Sequence, residues 1–444
     1  MLYRLQNNVF IISLLAVGFM ACWLYVRAFD LMATGTMLAL VSQMSLLLYF
    51  AKEGRTTYSA KTLFLVVLIY SLLLGTVLMF ISYVYDGDTF MLTKNDAMIY
   101  YTVSMRASSV GFLPNINYIV KNFEFEDWGS LMYDSFLMSI IPDKLFLNFT
   151  YMIAGAISSV LLYRIGRNYM PEPYAYLGGL AYGTSSFLIL FHCTFLKESL
   201  FVTIVIATMY FMNRMIRKES NFDIFGFLFF DSLLFFFRPA VAAFVIMSYS
   251  VYFAIKQRGS ALSLFIYLAI AVGFLISLKY MTEMADRYTA GADDKLKVSG
   301  NADAYSGGFN TFVNIFGGFF GPFPTIFTKE NSVPATLQFY ASGLIYKLFL
   351  ILPFFTGLFF IVKNKVTDLF PIMTFLLVEM LATGIVVASL DLRKVMPHIP
   401  FTYLVSFYGL SKWEPEGVYK KVPEVAIYAL AIGILILWNV VKTT

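Results

Sequence analysis

The stretch TLFLVVLIYSLLLGTVLMFISYV at residues 62–84 runs directly into YDGDTFMLTKNDAMIYY at residues 85–101. The first part is apolar over about the 20 residues that a helix needs to cross a bilayer core. The second part opens a long polar interval, 85–143, in which Asp86, Asp88 and Asp96 follow the apolar run. Two short amphipathic pieces come next, at about 97–107 and 127–140. Carboxylates at a membrane surface beside interfacial helices predict that this loop is the working site.

The composition predicts a membrane protein. Of the 444 residues, 59% are hydrophobic and 13% are charged, which excludes an ordinary soluble domain. Because backbone groups in hydrocarbon must be satisfied within their own segment, the apolar runs are expected to be helices. The fold class predicted is therefore an all-α, polytopic transmembrane helical bundle of about thirteen spans. The runs are 8–26, 31–50, 62–84, 144–163, 174–194, 198–213, 223–237, 239–255, 260–281, 341–362, 366–389, 399–413 and 424–441.

The basic residues near the ends of these runs predict the orientation, since lysine and arginine are retained on the cytoplasmic side. Seven segments that share one side are basic, which places the N-terminus inside and the loops 85–143 and 282–340 outside. The first run is followed at once by another, so it is expected to be a retained helix and not a cleaved signal peptide. The basic segments lie around Arg4, Lys52, Arg164, Arg214, Lys256, Lys363 and Lys412.

Several classes of function are excluded. Cys22 and Cys193 both lie in apolar runs, and there are only two histidines, so neither a disulfide framework nor a poly-histidine metal site is expected. The chain has no P-loop and no dinucleotide-binding fingerprint. Its 47 phenylalanines and 30 tyrosines fit contact with lipid better than stacking on nucleic acid. We therefore expect the bilayer as partner, no nucleic acid and no cofactor; the sequence leaves a divalent metal open.

Asp96 is the first candidate for chemistry. It comes one residue before the first amphipathic piece, where aspartate caps the free N–H groups of a helix. Its carboxylate would also suit a general base beside a lipid phosphate. The two roles are compatible, because a cap fixes the position of the carboxylate. Asp86 and Asp88 are ordinary turn acids or weaker candidates for the same role.

Lys197-Glu198 forms the second candidate, in a very short turn between two apolar runs on the predicted outer side. A polar pair at this position either marks the interface, with the lysine snorkelling, or faces the same cavity as Asp96. In the second case Glu198 would be a further carboxylate and Lys197 would hold an anionic leaving group.

The segment 391–398, which reads DLRKVMPH, is the third candidate. Arg393 offers a planar donor fork for phosphate, and Lys394 adds a point charge. A departing lipid phosphate needs such neutralisation. The alternative is an interfacial basic anchor, and His398 is either a structural residue or a further contact.

Charged residues within the apolar runs are functional candidates because their burial is costly. Asp231 and Arg238 are seven residues apart, which is two helical turns and predicts that they lie on one helix face, as an ion pair or as substrate contacts. Glu379 lies in the middle of a run, where it would suit an ion or proton site. This residue keeps a transporter open.

The order of these parts resembles the GT-C superfamily of integral membrane glycosyltransferases, which use sugar donors linked to polyprenyl phosphate. The resemblance lies in the layout of residues 62–255 and in the late motif R-K-V-M-P-H-I-P at 393–400. It implies an essential acid in the first outer loop at Asp96 or Asp88, and a second acid at Glu198. It differs from the usual layout in that two spans precede the module, so that the acidic loop follows the third span and not the first, and in that the outer turn reads Lys-Glu where aspartate is commoner.

The resemblance implies an inverting glycosyltransferase that moves a sugar to a surface glycan, lipid or protein. Lys197, Arg393 and Lys394 would bind the lipid phosphate, with Arg106 as a weaker candidate. Two alternatives stay open. One is an O-antigen or capsule-type polymerase or ligase that uses lipid-linked oligosaccharides and relies on arginines such as Arg238. The other is a transporter or flippase for lipid-linked sugars.

The expected organisation has three parts: an N-terminal two-helix extension at 1–61, the GT-C-like module at 62–255, and a C-terminal transmembrane region at 256–444. The expected location is the bacterial cytoplasmic membrane, with the active loops facing outward.

Overall fold

The computed structural model describes residues 31–52, 58–87, 94–256, 343–383 and 392–412, with a few isolated positions near the two ends. Within these ranges the regular elements are helices, in agreement with the predicted class. They are α1 Leu31–Ala51, α2 Ala60–Asp86, α3 Lys94–Val110, α4 Phe112–Asn122, α5 Trp128–Ile140, α6 Lys144–Gly166, α7 Glu172–Gly183, α8 Ser186–Cys193, α9 Glu198–Ile216, α10 Asp223–Phe235, α11 Pro239–Lys256, α12 Gly343–Phe349, α13 Ile351–Lys363, α14 Phe370–Leu381, α15 Leu392–Val395 and α16 Ile399–Lys412.

Five of the described helices are long and apolar enough to cross a membrane: α1, α2, α6, α9 and α11. A sixth span is possible by length if α12 and α13, which meet at an angle of 49°, are taken together. The apolar helices thus support an integral membrane protein, whereas the predicted number of about thirteen spans is not confirmed. Asp88, the loop 282–340 and the predicted span 260–281 lie outside the described residues.

The run predicted as one span at 174–194 is instead two helices. Helix α7 ends at Gly183 and α8 begins at Ser186. Between them the hydroxyl groups of Thr184 and Ser185 donate to the backbone carbonyls of Leu180 and Ala181, at 2.7 and 2.8 Å. Serine and threonine side chains compete in this way with the backbone for its own acceptors. A hydropathy average does not show this break, because two hydroxyl residues change the mean of a long apolar run very little. Both residues are buried in the structure.

Three helices that are not spanning candidates follow α2. The amphipathic pieces predicted at about 97–107 and 127–140 correspond to α3 and α5, while α4 was not predicted. Asn115 of α4 ties the three together, since its buried amide donates to the carbonyl of Val103 in α3 and to the hydroxyl of Ser135 in α5. The side chains of Met98, Leu113 and Phe136 are exposed on this group, as on a surface that meets lipid.

Helices α13 and α16 cross with their backbones in close approach. At the crossing Gly357 lies against the carbonyl of Val405, and Gly409 lies against the carbonyl of Pro353 and the amide nitrogen of Gly357. Small residues at such crossings allow helices in a membrane to pack closely. The contact positions α16, and with it the segment just before α16, which carries Arg393.

We predict that Gly409→Ala lowers the free energy of unfolding by about 1–3 kcal/mol, because the added methyl group would overlap the carbonyl of Pro353. The measurement is thermal unfolding of the purified protein in lipid nanodiscs. Gly433→Ala is the matched control, since a methyl group there meets no atom of the described residues within 4 Å. Equal effects of the two substitutions would contradict the close crossing.

Candidate functional site

The turn between α8 and α9 places Lys197 and Glu198. Phe195 in this turn has a positive φ of 54°, which is an outlier for a bulky residue. Its ring is completely buried, and it packs 5.4 Å from the Tyr101 ring and 4.9 Å from the Lys144 ammonium group. Strained backbone persists where the surrounding structure holds it. Here the packed ring of Phe195 holds the turn against α3 and α6.

Glu198 is the first residue of α9 and is paired with Arg238. Its Oε1 lies 3.4 Å from Nη2 of Arg238, and the Glu198 side chain is only 3% exposed. The guanidinium group also lies over the ring of Phe201, with 5.0 Å to the centroid. A buried carboxylate needs such a partner because its desolvation is costly.

Arg238 was expected to share a helix face with Asp231, and this expectation was wrong. Helix α10 ends at Phe235, so Arg238 follows a break and lies just before α11. Its guanidinium group therefore turns to Glu198, and its Nη1 donates to the backbone carbonyl of Arg393 at 3.2 Å. Arg238 thus ties the late segment of the chain to the start of α9.

Asp96 and Arg393 form an ion pair between residues that are far apart in sequence. Nη1 of Arg393 lies 2.6 Å from Oδ2 of Asp96, and the two side chains are 34% and 50% exposed. Asp96 was expected to precede its helix as a cap, but α3 begins at Lys94 and Asp96 lies in the first turn. An acid in the first turn still interacts favourably with the helix dipole. Its carboxylate is directed to the arginine.

A second contact joins α3 and α5 to the same turn through Asp127. Its Oδ1 accepts hydrogen bonds from Nζ of Lys197 and from the hydroxyl of Tyr100, both at 2.6 Å. Nζ of Lys197 also donates to the carbonyl of Glu126 at 3.1 Å, and the lysine side chain is 11% exposed. The position of Lys197 is therefore fixed by the 3-10 turn Phe125–Asp127 that precedes α5.

Tyr100 lies in the middle of these acids. Burial, followed by the charge of Asp127, raises the pKa of its hydroxyl far above the usual value, and the charges of Glu198 and Asp96 act in the same direction. The hydroxyl therefore stays protonated, and it donates its single hydrogen to Oδ1 of Asp127. Both Tyr100 and Asp127 were missed as site residues, although the one-turn spacing from Asp96 to Tyr100 was a usable signal.

The six charged residues that these contacts join are called the charge cluster below. Its members alternate in sign and come from α3, the turn before α5, the start of α9, the α10–α11 junction and α15. Buried Glu379 of α14 lies close enough to Arg238 to interact with it electrostatically. The charge cluster consists of Asp96, Asp127, Lys197, Glu198, Arg238 and Arg393.

The remaining predicted site residues have other positions. Arg106 lies ten residues after Asp96 on α3, about 15 Å along the helix, and is stacked on Tyr118 at 4.0 Å. Lys394 is half-buried beside Arg393, and His398 is completely buried just before α16. In the part of the chain that the structure describes, no three acidic, histidine or cysteine side chains converge as metal ligands would.

Comparison with protein families gave one match. Residues 136–280 match the family model of dolichyl-phosphate-mannose-protein mannosyltransferase, which is a GT-C superfamily domain. The matched segment starts within α5, includes Lys197, Glu198 and Arg238, and extends past α11. Comparison with curated proteins and with solved structures gave no significant match. The family match confirms the resemblance to the GT-C superfamily and supports a glycosyltransferase of the GT-C type that works in a membrane with a lipid-linked donor.

We predict that Asp127→Asn and Lys197→Met each lower the free energy of unfolding by about 1–3 kcal/mol, because each leaves a mostly buried partner without its charged contact. In the double variant the loss is expected to be smaller than the sum, by about 0.5–3 kcal/mol. Thermal unfolding in nanodiscs measures all three.

The matched control for this cycle is the pair Arg217–Glu219 at the other end of α9, whose side chains are each about a third exposed. For the cycle with Arg217→Met and Glu219→Gln, a coupling of about 0–1 kcal/mol is expected. If the Asp127–Lys197 cycle gave no larger coupling than this one, the contact would not hold the turn.

Proposed function

We propose that this protein is a GT-C-type glycosyltransferase of the bacterial cytoplasmic membrane. It moves a sugar from a polyprenyl-phosphate-linked donor to a glycan, lipid or protein acceptor, with the charge cluster at the outer face. The observation that carries the proposal is the Asp96–Arg393 pair, in which a candidate base and a candidate phosphate ligand lie in contact and half-exposed.

The pair supports an exchange of partners when the donor binds. A phosphate oxygen of the donor takes the place of the Asp96 carboxylate on Arg393, and Lys394 adds a second positive charge. Lys197, which is held by Asp127, contributes its charge at longer range. The carboxylate of Asp96 is then released toward the acceptor. Binding of the donor thus prepares the base.

In the transfer step the acceptor hydroxyl attacks the anomeric carbon of the sugar. The new bond joins the acceptor oxygen to that carbon, and the bond from the carbon to the phosphate oxygen breaks, so that its electron pair leaves on the phosphate. The proton of the acceptor passes to Asp96 as general base. Arg393 stabilises the negative charge that develops on the leaving phosphate. No redox partner is needed.

We predict that Asp96→Asn lowers the rate of transfer by about 100-fold or more, since general-base catalysis contributes about that much. Asparagine keeps the size of the side chain and an oxygen that accepts from Arg393, so the fold is expected to be spared. The assay uses the purified protein in lipid with a radiolabelled pool of polyprenyl-phosphate sugars and membrane-derived acceptors.

Asp143→Asn is the matched control. Asp143 is exposed and accepts from the amide of Phe146 at the start of α6, a cap that asparagine also provides. This variant is expected to transfer at the wild-type rate. The proposed glycosyltransferase function would be refuted if the wild type transferred no sugar. A transporter function would replace it if the wild type instead moved lipid-linked sugar across vesicle membranes and Glu379→Gln stopped that movement.

We predict that Arg393→Gln raises the KM for the lipid donor by roughly 10-fold or more, because a charge-assisted hydrogen bond to phosphate is lost. Arg393→Lys is expected to recover part of this loss, since lysine keeps the charge without the donor fork. Steady-state kinetics at varied donor concentration separate KM from kcat. An unchanged KM in Arg393→Gln would show that Arg393 does not hold the phosphate.

A further inference from the structure

The carboxylate of Glu198 has one oxygen that its surroundings do not use. Oε1 is paired with Arg238 at 3.4 Å, but among the described residues no group donates to Oε2, although this atom is buried. A buried acceptor without a donor is costly, and where it lies within a cluster of charged side chains a ligand that donates a hydrogen bond is one way to satisfy it.

The donors of the charge cluster make contacts other than to Oε2 of Glu198. The hydroxyl of Tyr100 gives its hydrogen to Asp127, and Nζ of Lys197 binds Asp127 and the carbonyl of Glu126. Arg238 divides its contacts between Oε1 and the carbonyl of Arg393. The described part of the charge cluster therefore holds Glu198 in place by Oε1 and leaves Oε2 for another partner.

The chemistry of Oε2 restricts that partner. An ionised carboxylate only accepts hydrogen bonds, so the partner must donate. A phosphodiester has no hydrogen to donate and carries a negative charge, and it would be repelled. The prenyl chain of the donor has no polar hydrogen either. The hydroxyl groups of the sugar are donors of the required kind.

We infer that Glu198 determines specificity by accepting, at Oε2, a hydrogen bond from a hydroxyl group of the transferred sugar. This rests on the proposed function. In this inference the Asp96–Arg393 pair separates when phosphate binds Arg393, and the sugar then reaches Glu198, whose partner Arg238 contacts the backbone of Arg393. The two parts of the donor thus bind to different residues of the cluster: Arg393 binds the phosphate, and Glu198 binds the sugar.

The test compares two lipids of equal charge. One is a polyprenyl-phosphate hexose, drawn from a set with mannose, glucose or N-acetylglucosamine. The other is polyprenyl methyl phosphate, a diester in which a methyl group replaces the sugar. Binding to the full-length protein in nanodiscs is measured in the presence of a chelator, so that no divalent metal bridges the carboxylate and the sugar.

For Glu198→Gln we expect affinity for the preferred sugar lipid to fall by roughly 10-fold, since a hydrogen bond to a charged acceptor is lost. Affinity for the methyl diester is expected to stay within about twofold, which also reports that the variant is folded. If both affinities fell together, or if neither changed, Glu198 would not contact the sugar.

Glu379→Gln is the matched comparison, because it changes a buried acid that interacts electrostatically with Arg238 and leaves Oε2 of Glu198 in place. We expect it to keep the preference for the sugar lipid. The same loss in both variants would mean that Glu198 acts only through Arg238, and would overturn the inference. The wild-type transfer assay stands apart: if it fails, the proposed function fails, whereas transfer without a sugar-dependent effect of Glu198→Gln removes only this inference.

Discussion

The guanidinium group of Arg238 is the constraint on which the site depends. It pairs with Glu198, donates to the backbone of Arg393 and lies over the ring of Phe201, so that it joins the start of α9 to the segment before α16. A buried carboxylate without a counter-charge is too costly to keep ionised. Arg238 gives the Glu198 carboxylate its counter-charge, and it also holds in place the backbone from which Arg393 reaches Asp96.

The class of the protein, a helical membrane protein, could be predicted from its sequence, because hydropathy and the positions of lysine and arginine are local properties. The sorting of basic residues placed Asp96, Lys197 and Arg393 on one side of the membrane, and the structure brings the three into one cluster. The pairing itself could not be predicted, because Asp96 and Arg393 are 297 residues apart and nothing near either residue specifies the other.

Helix breaks and the partners of single side chains could not be predicted from the sequence pattern. The break between α7 and α8 depends on where two hydroxyl groups point, and hydropathy averages over them. Arg238 and Asp231 matched a helical spacing, but the helix between them ends at Phe235. The sequence shows Asp127 only as the beginning of an amphipathic piece. Its role in the cluster could not be predicted, because its partners Tyr100 and Lys197 come from distant segments on either side of it in the chain. In each case a contact between distant segments decides the role.

The separation along the chain between the two halves of the cluster also has a consequence for biosynthesis. Glu198 and its partner Arg238 leave the ribosome 40 residues apart, whereas Arg393 follows Asp96 by 297 residues. At about 5–20 residues per second, the first pair is complete within about 2–8 s, and the second needs about 15–60 s. During that interval the nascent chain presents an acid with no arginine beside it. The contact between Asp96 and Arg393 can therefore form only after the segment that carries Arg393 has been made.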